Sequence, residues 1–162
     1  MRAWLRAGWS VLVLAAAVRP AGAQTVEVFG GGGITFSGPD VSARDMHLAG
    51  GLGTSFGKRF GFRLDAMHTD VPQSTLNAVS GDMMLHLVPN VNATVRPYLV
   101  AGGTVFFPSD GTHGGLNGGI GVQFRGRPPV GLFVEGRYFR ILRYSPLRDD
   151  LILGTAGVRV QL

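Results

Sequence analysis

The sequence contains no cysteine, which excludes a disulfide, a thiolate zinc site and a cysteine nucleophile. Charged residues are also scarce, at 15% of the chain against about 25% in an average soluble domain. Lysine occurs once, as Lys58, and the basic residues form no stripe of the kind that binds nucleic acid. No segment has a sustained apolar period of 3.6 residues, and 26 glycines among 162 residues disfavour a helical enzyme core.

The first 23 residues have the three parts of a secretory signal. Arginines precede a short apolar run over residues 9–18, and Ala21 to Ala23 form an A-x-A cleavage site. The apolar run is well short of the ~20 residues that a membrane-spanning helix needs. We therefore expect export, cleavage after Ala23 and a single mature domain over residues 24–162. Because no cysteine follows this site, a lipoprotein anchor is excluded.

The mature chain alternates repeatedly between apolar and polar or small residues, which predicts strands. Eight strands are expected, at about 25–36, 44–56, 60–69, 79–88, 95–106, 117–125, 130–140 and 150–162. Their lengths suit the nine to eleven residues that a tilted strand needs to cross a membrane. An even number of strands places both chain ends on one side of a closed up-and-down barrel.

The predicted connections alternate between short and long. The short ones are residues 57–59, 89–94 and 126–129, and the long polar ones are 37–43, 70–78, 107–116 and 141–149. Outer-membrane barrels have short periplasmic turns and longer extracellular loops, so the alternation favours this class of barrel.

The alternation alone leaves open which face points inward, because soluble ligand-binding barrels have the same period with the apolar face inside. The polar face combines glycines with a few charges of both signs, whereas a solvated surface is about 25–35% charged. A narrow lumen requires such a face, since buried charges must be paired. The expected lumen charge network consists of Glu27, Arg63, Asp65, Asp82, Arg125, Glu135, Arg137 and Arg159.

Aromatic residues near the strand ends predict two belts at the membrane interfaces. The belt at the short turns contains Phe56, Phe60, Tyr98 and Phe124, and the belt at the long loops contains Phe36, Phe106, Phe107, Tyr138 and Tyr144.

Four segments carry a resemblance to a known family. They are residues 96–103 (RPYLVAGG), 118–124 (GGIGVQF), 133–138 (FVEGRY) and 154–162. They are similar to strands five to eight of the OmpA/OmpX-like small outer-membrane barrels of Gram-negative bacteria. The resemblance covers the mature chain and implies an all-β fold, an eight-stranded antiparallel up-and-down transmembrane barrel in the bacterial outer membrane.

The end of the last strand departs from the family pattern. The family usually ends in an aromatic residue that the barrel-insertion machinery reads, and here that position is Leu162. The alternation of Leu162 with Val160 and Val158 is kept, so the resemblance implies that these three residues contact the insertion machinery.

Three arginines surround the fourth long loop, at Arg140, Arg143 and Arg148. Lipopolysaccharide phosphates lie at that depth, and arginine suits bidentate contacts with phosphate. We expect a lipid-phosphate contact there, with a solvated loop beside Asp149 and Asp150 as the alternative.

No pattern in the chain predicts a catalytic, cofactor or metal site. Gly53 to Gly57 fit the G-x-S-x-G motif around Ser55, but the nucleophile elbow needs a following helix and an alternating strand follows instead. His47, His68, His86 and His113 lack the spacing of a metal site and are interpreted as lumen or loop residues.

We therefore expect a monomeric, non-enzymatic outer-membrane barrel that contacts lipid and lipopolysaccharide and binds no cofactor. Side chains would fill its lumen, and a structural or interaction role would belong to the extracellular loops. Two alternatives remain open: a soluble periplasmic ligand-binding barrel, and an outer-membrane lipid-modifying enzyme that depends on a loop-side Ser or His.

Overall fold

A computed structural model describes residues 25–37, 44–71, 74–108, 111–142 and 150–162 of the 162-residue chain. These residues form eight strands: β1 Thr25–Ser37, β2 Arg44–Phe56, β3 Phe60–Val71, β4 Ser74–His86, β5 Val95–Phe107, β6 His113–Arg125, β7 Val130–Ile141 and β8 Asp150–Gln161. The predicted signal and its cleavage site lie outside the described residues. Within those residues, no helix is long and apolar enough to cross a membrane.

Consecutive strands pair antiparallel, and β1 also pairs with β8, which closes the barrel. The paired residues followed once around the barrel from Val26 return to β1 at Phe36, a stagger of ten residues. A barrel closes only when its strands tilt, typically by about 35–45°. The predicted eight-stranded up-and-down barrel is confirmed.

Side chains alternate strictly between the lumen and the outer surface. In β7, Phe133, Glu135 and Arg137 are 4–6% exposed, whereas Leu132 and Val134 are each 54% exposed. The other strands follow the same pattern, so the outside of the barrel is a band of leucine, valine, isoleucine, methionine and phenylalanine. The polar face points inward, as the low charge content predicted.

The barrel has two different ends. Both ends of the described chain and the turns 57–59, 87–94 and 126–129 lie at one end, called here the terminal end. The connections 38–43, 72–73, 108–112 and 142–149 join the strands at the opposite end, called the loop end.

Strand β4 departs from its predicted bounds. It begins at Ser74, so only two residues join it to β3, whereas a loop over 70–78 was expected. The polarity of β4 is inverted at this end: Leu76 and Ala78 are buried in the lumen, and the polar Asn77 lies on the outer face between them. Polar residues at outward positions are typical of a loop, so the first residues of β4 were predicted as part of a loop.

Two other connections also differ in length. Strand β6 starts at His113, four residues before its predicted start. Its first residues are glycine-rich, so they show no alternation of apolar and polar side chains that would predict a strand. The connection between β4 and β5 spans eight residues, 87–94, although it lies at the end where short turns were expected.

The aromatic belts are present with two exceptions. Phe56 and Phe60 stack at the terminal end with ring centroids 6.3 Å apart, and Phe107 and Tyr138 are exposed near the loop end. The predicted belt positions of Tyr98 and Phe106 were wrong. Both side chains share the inward face of β5 and are at most 1% exposed. Tyr144 lies outside the described residues.

The lumen is packed with side chains above and below its charged middle. Toward the loop end, Phe106 meets Phe139 edge-on at 6.0 Å within an apolar cluster that includes Leu151 and Leu153. Toward the terminal end, Met84, Tyr98 and Val100 form a second cluster.

Gly121 tests how tightly this lumen is packed. A Cβ at Gly121 would lie 2.3 Å from the Tyr98 ring, and the ring is held by its hydroxyl. We expect Gly121→Ala to lower the free energy of unfolding in micelles by about 1–3 kcal/mol, the usual range for overpacking. The matched control is Gly136→Ala, because a Cβ there meets no atom within 4 Å. Equal effects of the two substitutions would contradict the packed lumen.

Candidate functional site

The middle of the lumen holds a cluster of ionisable side chains, named here the central cluster: Arg63, Asp65, Asp82, Glu135 and Arg137. Arg63 forms a bidentate pair across the barrel with Glu135, at 2.8 Å (Nη1 to Oε2) and 2.9 Å (Nη2 to Oε1). Its Nε also lies 3.2 Å from Asp65 Oδ1. The planar guanidinium is suited to this fork-like contact, which fixes its direction as well as its charge.

Arg137 provides the second cation of the central cluster. Its Nη1 lies 3.0 Å from Asp65 Oδ2, and its Nη2 donates to both Asp82 Oδ2 and Asn117 Oδ1. Asp65 therefore lies between the two arginines, and Asp82 is bound from two sides. The arrangement links β3, β4, β6 and β7 through one continuous network.

Neutral groups complete the coordination of the carboxylates. The Tyr98 hydroxyl donates to Glu135 Oε2 at 2.6 Å, and the Asn117 amide donates to Asp82 Oδ1 at 2.8 Å. Asn117 also donates to Thr104, which in turn contacts Ser80. Sequence reasoning missed these partners because tyrosine and asparagine carry no charge. Their inward positions in the strand alternation were the available signal.

The buried charges balance over the whole lumen. The central cluster has two arginines and three carboxylates, so its formal charge is −1. At the terminal end, Arg159 pairs with Glu27 at 2.8 Å, and Arg96 adds a further buried cation that donates to the Lys58 carbonyl. Among the described residues, four buried arginines thus face four buried carboxylates.

Arg125 lies outside this network, contrary to the prediction. It is the last residue of β6 and is exposed at the rim of the terminal end. Its guanidinium donates to the Val91 carbonyl at 3.0 Å and to Asn92 Oδ1 at 2.7 Å. Arg125 does occupy an inward position in the alternation of β6. Because it is at the end of the strand, its side chain leaves the lumen and hydrogen-bonds to the connection between β4 and β5. Arg96, which the sequence analysis overlooked, is the buried cation at this end.

Of the three arginines predicted to contact lipid phosphate, the structure describes Arg140. Arg140 forms an exposed ion pair with Asp150 at 3.2 Å, and the Tyr138 hydroxyl donates to the same carboxylate. Arg143 and Arg148 lie outside the described residues.

A second polar group lies at the loop end of the lumen. His47 is 1% exposed, and its two ring nitrogens contact Thr35 at 3.1 Å and Thr155 at 2.8 Å. In the described part of the chain, no three His, Asp or Glu side chains are grouped so that they could hold a metal ion. Ser55 lies near the terminal end of β2, where a three-residue turn leads into β3 and not into a helix.

Two cavities among the described lumen side chains are very small. One is lined by central-cluster residues with Phe29 and Phe133, and another lies nearer the terminal end beside Glu27 and Arg159. Each has a volume of about 10 Å³. That is room for about one water molecule.

Comparison with solved structures gives close matches in fold at low sequence identity. Neisserial surface protein A (NspA) is 20% identical, with a TM-score of 0.70 over 89% of this chain and all of that chain. The N-terminal barrel of Pseudomonas aeruginosa OprF is 16% identical, with a TM-score of 0.68 over 85% of this chain and 97% of that chain. The chain has the fold of the small outer-membrane β-barrels.

The outer-membrane barrel fold includes proteins of more than one kind. The outer-membrane enzyme PagL also matches, at 13% identity and a TM-score of 0.52, over 85% of this chain and 99% of that chain. No protein-family model matches the sequence, and no curated protein matches it. The comparisons therefore establish the fold, and the function has to be inferred from the residues of this chain.

The Arg63–Glu135 pair allows a direct test of the central cluster. Breaking one side of a buried ion pair leaves an uncompensated charge, so Arg63→Met and Glu135→Gln should each cost about 3–5 kcal/mol of unfolding free energy. The double variant should cost clearly less than the sum of the two. The measurement is urea unfolding in micelles.

The control for this cycle is Arg140→Met, which breaks an exposed pair with Asp150. Exposed pairs contribute about 0–1 kcal/mol. If Arg63→Met costs no more than Arg140→Met, the central cluster does not hold the barrel together.

Proposed function

We propose that this chain is a monomeric, non-enzymatic protein of the bacterial outer membrane, with a lumen closed by its own side chains. Its role is to support the membrane structure or to bind other molecules, through the connections at the loop end. The observation that carries the proposal is the distribution of polarity: an apolar outer surface surrounds an interior in which buried arginines and carboxylates balance.

The outer surface supports a membrane location. Strands of 12 or 13 residues exceed the nine to eleven that a tilted strand needs to cross a bilayer. A closed barrel also leaves no strand edge with unpaired backbone groups, which is the condition for crossing lipid with strands. A soluble ligand-binding barrel requires the opposite arrangement, because its apolar face surrounds the ligand.

Lumen packing supports the closed interior. The bidentate contact between Arg63 and Glu135 crosses the barrel at its middle, and cavities beside it hold about 10 Å³. Ions crossing such a lumen would have to displace paired charges, and separating a buried pair is costly.

The described residues favour a non-enzymatic role. A lipid-modifying enzyme needs a nucleophile and a base within hydrogen-bond reach at the lipid surface. Ser55 lies toward the terminal end, away from the outer leaflet in the proposed orientation, and the loop-end His47 is enclosed in the lumen. The match to the outer-membrane enzyme PagL keeps an enzymatic role as the alternative function. For the lipid-modifying enzyme left open by the sequence, the exposed His68 is a candidate base.

The proposal includes two contacts predicted from the sequence, one with the barrel-insertion machinery and one with lipid phosphate. Val158 in β8 and Leu162, the residue after β8, are exposed, and the half-buried Val160 lies between them, which supports contact with the insertion machinery. Arg140 lies at the loop end near lipid-phosphate depth, although Asp150 already pairs with it. A phosphate contact there would depend mainly on Arg143 and Arg148.

Cell fractionation tests the membrane location. The protein should be in the outer-membrane fraction, begin at Gln24 and change its gel mobility only after boiling, because a closed barrel resists detergent until heated. Recovery from the soluble periplasmic fraction, with no mobility change, would contradict the proposal.

Planar-bilayer recordings test the closed lumen. The unmodified protein should give no steady conductance, because the paired side chains fill the barrel. A large, stable conductance of the unmodified barrel would contradict the closed lumen.

A further inference from the structure

A large depression on the outer surface of the barrel crosses β2, β3 and β4 near the loop end. It has a volume of about 680 Å³ and is named here the β3–β4 groove. Ligand sites in proteins usually measure about 300–1,000 Å³, so the groove is large enough for part of a small amphipathic molecule.

Strand register explains the shape of the groove. Leu48, His68, Asn77 and Phe107 are paired in sequence across β2, β3, β4 and β5, so they form one row on the outer face. In the next row toward the barrel middle, Gly50 is paired with Ala66, which is paired with Val79. Two neighbouring strands thus place small residues side by side, and the larger side chains around them form the walls.

The loop-end edge of the groove is polar, which is unusual on this outer surface. His68 Nδ1 lies 2.8 Å from Asn77 Oδ1, and because an amide oxygen only accepts, the ring nitrogen donates. The amide NH₂ of Asn77 is then the group with N–H donors to offer to a ligand oxygen. Polar side chains are costly on a lipid-facing surface and commonly mark functional positions.

The groove is polar at its loop-end edge and apolar toward the middle of the barrel, which is the order of polarity in a lipid from its headgroup to its acyl chains. His68 and Asn77 lie three residues from the loop-end termini of β3 and β4, where the membrane interface is expected. Gly50, Ala66 and Val79 follow toward the middle of the bilayer, where acyl chains lie.

We propose that the β3–β4 groove binds one acyl chain of lipid A, the acylated anchor of lipopolysaccharide, with the ester or amide carbonyl of that chain accepting a hydrogen bond from the Asn77 amide, which His68 orients. The proposal rests on the proposed function, because it needs the outer face in lipid and the loop end in the outer leaflet. It concerns a different face of the barrel from Arg140 of β7. The residues that would bind are Leu48, Ala66, His68, Asn77, Val79 and Phe107.

Native mass spectrometry of the refolded barrel in micelles, titrated with purified lipid A, tests the proposal. The unmodified protein should retain one lipid A molecule. Ala66→Phe fills the floor of the groove and should abolish retention. The double variant His68→Leu with Asn77→Leu keeps the groove but removes its hydrogen bonds, and affinity should fall about fivefold to tenfold.

The matched control is Ala156→Phe, which adds the same ring on the outer face of β8, three strands away from β3. It should bind lipid A as the unmodified protein does. Equal retention by Ala66→Phe, or an equal loss in Ala156→Phe, would overturn the groove as the site.

Three further outcomes would also overturn the proposal. Phosphatidylglycerol bound in preference to lipid A would assign the groove to a phospholipid. A dimer mass that Ala66→Phe removes would assign it to a second copy of the chain. Hydrolysis of lipid A that His68→Leu abolishes would make the site catalytic.

Heat-dependent gel mobility distinguishes failure of this proposal from failure of the proposed function. If only the groove assignment fails, the unmodified protein and all variants still refold into barrels that change mobility on boiling. If the membrane barrel itself is wrong, the unmodified protein shows no such change.

Discussion

The structure depends on the pairing of charges inside a narrow closed barrel. An eight-stranded barrel has an interior just wide enough for side chains, so each charge that points inward leaves water and must find a partner. Arg63 and Arg137 meet this demand by sharing Asp65, Asp82 and Glu135 between them. Because the partners come from strands far apart in sequence, the pairing also helps to set which strands face each other across the lumen.

The outer surface and the glycine content follow from the same geometry. With the charges inside, the outward positions can be almost uniformly apolar, which explains a chain with only 15% charged residues. Bulky inward groups such as Tyr98 need space beside them, and Gly121, the paired residue on the neighbouring strand, supplies it. The arrangement is consistent from residue pattern to strand to barrel, which favours a single folded state.

Sequence alone predicted the parts of the fold that depend on alternation. The inward positions of Glu135 and Arg137 and the outward positions of Leu132 and Val134 follow from period two. Prediction failed where that signal weakens or reverses. The first residues of β4 have polar Asn77 outside and Leu76 inside, so the strand was mistaken for a loop.

The site was less predictable than the fold, because it depends on partners and on strand ends. Alternation indicates that Arg125 and Arg96 share the inward parity of their strands, but only tertiary structure places the first at the rim and the second inside. The β3–β4 groove needs the register of four strands, which brings Leu48, His68, Asn77 and Phe107 into one row. Neither pattern is visible within a single strand.

The whole arrangement requires the apolar face of each strand to contact lipid and the polar face to line the lumen. Residues 24–162 contain no tryptophan, so a single introduced tryptophan reports its own surroundings without background. The most direct measurement is quenching of tryptophan fluorescence by brominated lipid, for a tryptophan placed in turn at Leu132, Phe133 and Val134 in the refolded barrel. Quenching should be strong at positions 132 and 134 and weak at position 133. Strong quenching at 133 alone would contradict this arrangement.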